Sequence, residues 1–305
     1  MNNADKKYAV FFLNTGRCGS QFFASKLAEV YPDLLRVEHE PFHKEYEPRR
    51  FFSFFKQNQA CQLPDVLDKH FKAIEETLES KHYVETGWPA YGILPHLIQR
   101  FSGRVKVVHL YRHPVRVAAS MTTHDIYNRG DWTKEMLPTP SDFGVKQSYL
   151  AGDSWDKMDD FSKALFWWTE LNGFGLELKR ECKSVPWMAL RFEDAVSSNG
   201  NNTLKRLTRF LELPERESFE RSAKEKVDRF RRVVNFDCDT QQVEHYQETL
   251  DVMQALGYAM SDITPQEIRK RYHSVCPKLI NKVLGALRRI KALQVTTLTR
   301  NKKGR

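Results

Sequence analysis

A glycine-containing segment near the start of the chain carries residue types that bind phosphate. Residues 8–13 are apolar and typical of a strand, and they run directly into residues 14–22, NTGRCGSQF. A strand that passes through such a loop into a helix brings backbone N–H groups and the positive end of the helix dipole to one point. The two glycines let the backbone approach an anion, and Arg17 adds a permanent charge on a planar donor fork. The segment therefore predicts a phosphate site.

The same segment lacks the lysine that P-loop nucleoside triphosphatases need. Their GxxxxGK[ST] loop places Lys immediately before the hydroxyl residue, whereas Gly19 precedes Ser20 in this chain. ATP hydrolysis is therefore disfavoured. A plainer interpretation, in which Gly16 and Gly19 only allow a tight turn between strand and helix, stays open at this point.

A second strand-to-helix transition follows later in the chain. Residues 105–111 are strand-like and lead into residues 112–120, RHPVRVAAS, with Pro114 at a position that suits the first turn of a helix. Arg112 and Ser120 are separated by about two helical turns, so a residue at the strand tip and one on the following helix could bind one anion together. Taken alone, Arg112 could equally be a surface or capping arginine.

Together the two segments resemble the family of sulfotransferases that use 3′-phosphoadenosine 5′-phosphosulfate (PAPS), particularly its carbohydrate-type and bacterial branches. Residues 17–22 resemble the family's 5′-phosphosulfate loop, and Arg112-His-Pro114 with Ser120 resembles its 3′-phosphate element. Residues 190–194, LRFED, and 255–258, ALGY, are also similar to family segments. The resemblance covers most of the chain, with the segments in the family's order.

The resemblance implies which residues bind the donor. The residues that it places against the donor are Gly16, Arg17, Cys18, Gly19, Ser20, Gln21, Phe22, Arg112 and Ser120. Three positions depart from the family's usual pattern, because Cys18 replaces a common Ser, Gln21 a common Ser or Thr, and His113 a common Asp. The glycine loop and the Arg-to-Ser spacing are retained.

The resemblance also implies the reaction, which is in-line transfer of a sulfuryl group from PAPS to an acceptor hydroxyl or amine, with no metal required. The permanent charge of Arg17 then stabilises the leaving phosphate. Glu40, in a Glu-Pro step after the second strand, is the base that the resemblance favours; Glu85 is the competing base and His39 a weaker one. Side-chain alternation places Glu38 and Glu40 on one face and His39 on the other. A solvated acid at a strand end is the plainer interpretation of Glu40.

Several other residues receive structural interpretations. Glu193 and Asp194 are predicted to orient a loop or an arginine. Trp167 and Trp168 lie on a helical pattern and are predicted to pack in the core. Trp88 lies in a presumed loop, where it could stack on a flat acceptor or pack against the protein.

Strands and helices alternate along the chain. Strand-like residues recur at 8–13, 34–39, 82–85, 105–111 and 187–192, and helical spacing is found at 20–30, 66–78, 94–101, 115–127, 161–179, 204–211 and 241–256. This order predicts an α/β fold with a mainly parallel sheet flanked by helices, which by resemblance is the P-loop-like sulfotransferase fold. Residues 124–160 have no clean period and are predicted to form a long substrate-side insertion.

Positive charge is concentrated at the C-terminus of the 305-residue chain. Residues 263–305 contain 12 Lys or Arg and one acid, whereas the whole chain carries a net charge of +9. Residues 277–294 have the spacing of a basic amphipathic helix. We therefore predict a sulfotransferase domain over 1–262 and a basic, partly helical extension over 263–305. The extension could lie on an anionic membrane surface, dock on a partner or pack back onto the domain.

Composition excludes several classes of protein. Hydrophobic residues are 41% and charged residues 29% of the chain, and the five cysteines include no CxxC pair, which disfavours disorder, a disulfide framework and a structural zinc site. No apolar stretch approaches the roughly 18 residues of a membrane-spanning helix, and the polar residues 1–7 do not resemble a secretory signal. These features predict a cytoplasmic protein that could lie at the periphery of a membrane.

The expected partners are the nucleotide donor and a hydroxyl acceptor, with a carbohydrate or glycolipid favoured and no nucleic acid expected. Two other functions stay open. One is a P-loop kinase or nucleotidase that uses another phosphate donor. The other is a membrane or nucleic-acid adaptor that acts through the basic extension.

Overall fold

The computed structural model describes residues 6–41, 46–56, 64–128, 130–140, 142, 155–222, 234, 236 and 238–272. Within these residues, five parallel strands form one sheet in the order β2-β3-β1-β4-β5. The strands are β1 Ala9–Leu13, β2 Leu35–Glu38, β3 His82–Glu85, β4 Val105–Tyr111 and β5 Trp187–Arg191. Each boundary lies within one residue of its predicted position, and the predicted parallel sheet is confirmed.

The central strands are buried because the sheet is covered on both faces. Every residue of β1 and of β4 is buried, as expected for a parallel strand between two layers of helices. The carboxyl edge of the sheet is staggered: β3 ends where Glu85 pairs with Phe11, whereas Leu13 at the end of β1 pairs with His109. Since β4 continues to Tyr111, β1 extends beyond β3 at this edge, and β4 extends beyond β1.

Twelve α-helices surround the sheet in the part of the chain that the structure describes. They are α1 Ser20–Val30, α2 Pro48–Lys56, α3 Asp65–Thr77, α4 Leu94–Arg100, α5 Pro114–Thr123, α6 Asp131–Met136, α7 Asp160–Glu181, α8 Phe192–Ala195, α9 Gly200–Phe210, α10 Glu217–Arg221, α11 Gln247–Ala255 and α12 Pro265–Tyr272. The prediction missed α2. It also carried the helix after β4 too far, because α5 ends at Thr123 and Asp125 takes a left-handed backbone conformation with φ 56°.

The predicted insertion over 124–160 contains regular structure. The helix α6 and two short 3₁₀ turns, Ile126–Asn128 and Trp155–Lys157, lie within it. Residues 143–154 of this segment lie outside the described residues.

The long helix α7 packs against α5 and α11 and lies close to the sheet. Trp167 and Trp168 are buried on it, which confirms their predicted place in the core. Gly175 allows this close approach, because a Cβ added there would lie 2.8 Å from both His109 Cε1 and Leu13 Cδ2.

The first part of the basic C-terminal segment packs on the body of the protein. The helix α12 contacts α5, buries Ile268 and Tyr272, and donates a hydrogen bond from the Tyr272 hydroxyl to the Arg116 carbonyl over 3.0 Å. The predicted amphipathic helix at 277–294 lies outside the described residues, so the division at residue 262 stays a prediction. Among the helices described, none is both long enough and apolar enough to cross a bilayer.

Candidate functional site

The two predicted phosphate-binding segments meet at the carboxyl edge of the sheet. The Arg17 Nε, in the loop after β1, donates to the Ser120 Oγ of α5 over 2.9 Å. The Arg17 Nη2 lies 3.0 Å from the Nε2 of His124, which follows α5. Residues that are far apart in the sequence therefore form one cluster.

Arg112 joins this cluster from the end of β4. Its Nη1 donates to the Arg17 carbonyl over 3.0 Å, and its guanidinium lies 5.3 Å from the centre of the Phe192 ring. Arg112 is only 8% exposed, and its buried Nε has no hydrogen-bond partner among the described residues. Leaving a buried, charged donor without an acceptor costs free energy. The arrangement therefore fits an anion that accepts from this nitrogen.

The loop between β1 and α1 has the backbone geometry of an anion cradle. Gly16, Arg17 and Gly19 have φ values of 75°, 58° and 90°, a region that glycine enters at little cost. Gly19 is also required sterically, because a Cβ there would lie 2.1 Å from the Phe192 Cε2. The helix α1 begins at Ser20, and its N-cap residue Gly19 has no side chain that could cap the first turn. Helix N-termini of this kind bind anions through their backbone N–H groups.

The remaining predicted residues of the loop differ in surroundings. The Cys18 thiol donates to the Gly16 carbonyl over 3.1 Å and lies 3.0 Å from the Thr15 Oγ1. Burial raises the pKa of the Cys18 thiol to about 11. Phe22 is buried and packs edge-on against Phe23, whereas Gln21 is half-buried. The buried side chains of Cys18 and Phe22 thus help to hold the loop and its helix in place.

Two adjacent tryptophans on α7 fix the two loops. The Trp167 Nε1 donates to the Thr15 carbonyl over 2.9 Å, and the Trp168 Nε1 donates to the Arg112 carbonyl over 2.8 Å. Neighbouring helix residues project in different directions, so each indole reaches a different strand end. The sequence analysis missed this role. The only available signal was the pair of buried indoles, each of which needs an acceptor.

His113 caps the N-terminus of α5. Its Nδ1 accepts from the Val115 backbone N–H over 3.3 Å, and its Nε2 lies 3.3 Å from the Ala259 carbonyl. Burial lowers the pKa of His113 to about 4, which keeps the imidazole neutral and its Nδ1 able to accept. Glu193 accepts from the His113 backbone N–H and from the Tyr258 hydroxyl. The predicted structural role of Glu193 is confirmed.

Glu85 lies in a buried network at the end of β3. It is 5% exposed, accepts from the Tyr83 hydroxyl over 3.0 Å and lies 3.3 Å from the His70 Nε2. The same hydroxyl lies 3.1 Å from a carboxylate oxygen of Glu38, whose other oxygen accepts from Arg36. Burial and the two nearby carboxylates raise the pKa of Tyr83 well above its usual value. Glu85 therefore contacts two polar side chains of this network.

Glu40 and His39 lie beside each other, and the predicted alternation is wrong here. The strand β2 ends at Glu38, and Glu40 takes a left-handed conformation with φ 54°. The His39 Nε2 therefore lies 3.7 Å from the Glu40 Oε1 instead of on the opposite face, and the His39 Nδ1 lies 3.2 Å from the Thr86 Oγ1. Gly87 permits this turn, because a Cβ there would lie 2.5 Å from the Glu40 nitrogen.

Asn14 connects this acidic region to the phosphate-binding loop. Its Nδ2 donates to the Thr86 carbonyl over 3.2 Å, and its Oδ1 accepts from the Gly16 N–H over 3.0 Å. Trp88 packs over Gly16, stacks on Tyr91 and is buried, which supports packing over stacking on an acceptor. The sequence analysis missed Asn14, although a polar residue directly after a buried strand is a usable signal. Within the described ranges, no cluster of three or more His, Cys, Asp or Glu could hold a metal ion.

Comparison with known proteins gives structural matches. No protein-family model and no curated protein match the chain. Among solved structures, the chain is similar to the sulfotransferase domain of the olefin synthase from Synechococcus PCC 7002. The TM-score is 0.52 at 14% sequence identity, over 84% of this chain and 97% of that domain. The chain has a sulfotransferase-like fold.

Two further solved structures are similar at lower TM-scores. One is the sulfotransferase domain from the curacin biosynthetic pathway, with a TM-score of 0.47, 16% identity, and 83% and 98% of the two chains covered. The other is a gluconokinase from Sinorhizobium meliloti 1021, with a TM-score of 0.32, 16% identity, and 67% and 94% covered.

The sulfotransferase-like fold brings the predicted site residues to one edge in two groups. Arg17, Arg112 and Ser120 form the first group with the glycine loop. Glu40 and His39 form the second and are partly exposed, with side-chain exposures of 27% and 20%. Glu85, the third candidate base, is buried within its own network instead.

Proposed function

We propose that the chain is a sulfotransferase that moves the sulfuryl group of PAPS to an acceptor hydroxyl, with a carbohydrate or glycolipid as the favoured acceptor. One observation carries this proposal. Two separate strand-to-helix turns contribute Arg17, Arg112 and Ser120 to a single cluster, and the buried Arg112 Nε there has no acceptor among the residues that the structure describes. A donor that carries anions at two ends supplies acceptors for both turns.

The donor's two ends have different surroundings in this proposal. The 5′-phosphosulfate lies on the glycine loop and the N-terminus of α1, where Arg17 stabilises charge on the leaving phosphate. The 3′-phosphate accepts from Arg112 and Ser120. The contact between Ser120 and Arg17 is compatible with this, because a hydroxyl can accept from a guanidinium and still donate its own proton.

Glu40 is the base in this proposal. The acceptor oxygen attacks sulfur and forms the new S–O bond while its proton passes to Glu40. The bond from sulfur to the 5′-phosphate oxygen breaks, and adenosine 3′,5′-bisphosphate leaves with the electron pair. Glu40 is preferred to Glu85 because its carboxylate is partly exposed, whereas Glu85 is buried and already accepts from Tyr83.

Calorimetry with adenosine 3′,5′-bisphosphate, PAPS and ATP tests the donor. We expect the first two to bind in preference to ATP, and Arg112→Ala to weaken their binding about 100-fold, because charged hydrogen bonds are lost. Arg100→Ala is the matched control, since Arg100 forms an exposed ion pair with Glu75, and its binding should be unchanged. Preferential ATP binding would instead favour a kinase or nucleotidase.

Radiolabelled PAPS identifies the acceptor. The full chain is incubated with [³⁵S]PAPS and a cell extract, and the labelled glycan, lipid or small-molecule fraction is separated. We expect label to appear in a hydroxyl-bearing product with the unaltered chain and not with Arg112→Ala. Equal labelling by both proteins would contradict the proposed donor site.

A further inference from the structure

His124 contacts the donor-site cluster but belongs to neither of the motifs found in the sequence. It follows the last residue of α5 and is 5% exposed. Its Nδ1 lies 2.6 Å from the Ser120 carbonyl oxygen, and its Nε2 lies 3.0 Å from the Arg17 Nη2. Both ring nitrogens are therefore within hydrogen-bond distance of residues that we place at the donor.

The chemistry of these two contacts fixes the state of the imidazole. A carbonyl oxygen can only accept, so the His124 Nδ1 must carry the hydrogen. A guanidinium nitrogen can only donate, so the Nε2 must present its lone pair to Arg17. Only the neutral Nδ1–H tautomer satisfies both contacts.

His124 and Ser120 together orient the Arg17 guanidinium. They are four residues apart, so they lie on the same side of the helix end. The Ser120 Oγ accepts from the Arg17 Nε, and the His124 Nε2 accepts from the Arg17 Nη2. These two Arg17 nitrogens form one edge of the planar guanidinium. Two acceptors on this edge restrict rotation about the last bonds of the Arg17 side chain more than a single acceptor would. The direction of the positive charge is thereby fixed.

We propose that His124 is a positioning residue of the donor site, which holds the Arg17 guanidinium as a neutral hydrogen-bond acceptor. This inference rests on the proposed function, because it assigns the oriented charge to the donor. His124 acts through Arg17 and does not itself contact the donor. Its removal should therefore matter only while Arg17 is present.

The surroundings of His124 allow a clean set of variants. The Ser120 carbonyl also accepts from the His124 backbone N–H over 3.2 Å, so this carbonyl keeps a partner when the imidazole is replaced. His124→Phe fills similar space without an acceptor, and His124→Gln restores an amide oxygen that can accept from Arg17. His245→Phe is the control for a histidine-to-phenylalanine change, because His245 is exposed on the 3₁₀ segment Thr240–His245.

A double-mutant cycle on binding of adenosine 3′,5′-bisphosphate tests the coupling. We expect His124→Phe to bind about tenfold more weakly and His124→Gln to recover most of this loss. In an Arg17→Ala background, His124→Phe should have no further effect. An equal loss in both backgrounds, or unchanged binding by a folded His124→Phe protein, would overturn the inference. Comparable circular dichroism spectra and melting temperatures show that the variants are folded.

A second measurement does not require the nucleotide. Long-range ¹H–¹⁵N spectra of the labelled full chain report the tautomer, with the His124 signals assigned by their loss in His124→Phe. The neutral Nδ1–H tautomer at pH 7 is expected, with the Nε2 resonance shifted in Arg17→Ala. A protonated ring or the Nε2–H tautomer would refute the inference. If the unaltered chain binds no adenosine 3′,5′-bisphosphate, the proposed function fails, and this spectrum alone decides whether His124 holds Arg17.

Discussion

The carboxyl edge of the sheet has a basic half at the ends of β1 and β4 and an acidic half at the ends of β2 and β3. In the basic half, Arg112 is buried and its Nε lacks an acceptor among the described residues. In the acidic half, the Tyr83 hydroxyl and His70 both lie within hydrogen-bond distance of one Glu85 carboxylate oxygen. Buried polar groups are nearly always hydrogen-bonded. One buried donor of the basic half therefore has no acceptor among the described residues, whereas Glu85 in the acidic half contacts side chains of its own network.

The two halves also differ in what holds them. The indoles of Trp167 and Trp168 donate to the main chain of the basic half, so both of its loops are fixed by one helix. Glu40 in the acidic half is held by a turn at Gly87 and by its neighbour His39. In the proposed function, a donor held by these two loops lies beside a more exposed carboxylate, which suits an acceptor that enters from solvent.

The largest expected effect separates the two carboxylates of the acidic half. Glu40→Gln should lower kcat by about 100-fold or more, because general-base catalysis is lost, while binding of adenosine 3′,5′-bisphosphate stays the same. Glu85→Gln should change kcat less and lower the melting temperature, because Glu85 is part of a buried network. Steady-state kinetics and thermal unfolding measure both. If Glu85→Gln lost as much kcat as Glu40→Gln at unchanged stability, Glu85 would be the base.

Acid should destabilise the basic half through two buried histidines. Burial lowers the pKa of His109 on β4 and of His113 before α5 to about 4. Because the usual value is about 6.5, the unfolded chain binds more protons than the folded one between these pH values, and stability falls as pH falls through this window. Across this window, each histidine lowers the free energy of unfolding by up to about 3 kcal/mol.

Urea unfolding from pH 7 to pH 4 measures this loss. His109→Gln is the informative variant, because glutamine can still donate toward Asn172, which accepts from His109 over 2.9 Å, but cannot titrate. Its free energy of unfolding should decline less steeply below pH 6.5. A slope identical to that of the unaltered chain would show that folding does not lower the pKa of His109.

A third effect tests the close packing of α7 on the basic half. Gly175→Ala should lower the free energy of unfolding by about 1–3 kcal/mol, because its Cβ would lie 2.8 Å from His109 and Leu13 side-chain atoms. Gly173→Ala in the same helix is the matched control, since its nearest contact is 3.9 Å away. That change should stabilise by up to about 1 kcal/mol through helix propensity. Equal effects of the two substitutions would contradict the packing argument.

The basic half was easier to predict than the acidic half for a physical reason. Parallel strands end at one edge, so residues placed directly after β1 and β4 had to meet, and Arg17, Arg112 and Ser120 do. The predicted orientation of Glu40 was wrong, because the positive φ of this residue interrupts the alternation of side chains along a strand. A non-glycine residue gives no sequence signal for that conformation. The network of Glu85 depends on a residue from α3, and such a tertiary contact has no local periodicity.

The helix α7 likewise shows what can and cannot be predicted from the sequence. Its helical period and its burial could be predicted from the sequence, and both are confirmed. The hydrogen bonds of Trp167 and Trp168 could not, because they depend on how the helix crosses the ends of β1 and β4. Periodicity identifies which face of a helix is buried, but not which backbone carbonyl an indole on that face will reach.

The smallest expected effect concerns these indole hydrogen bonds. Trp168→Phe keeps an aromatic ring but removes the donor to the Arg112 carbonyl, so it should lower the free energy of unfolding by about 1–2 kcal/mol and weaken donor binding slightly. Trp187→Phe on β5 is the control, because its buried Nε1 has no hydrogen-bond partner among the described residues. It should cost less, since only packing changes. Urea unfolding compares the two, and an equal loss would mean that ring volume, rather than the bond to the Arg112 loop, determines the effect.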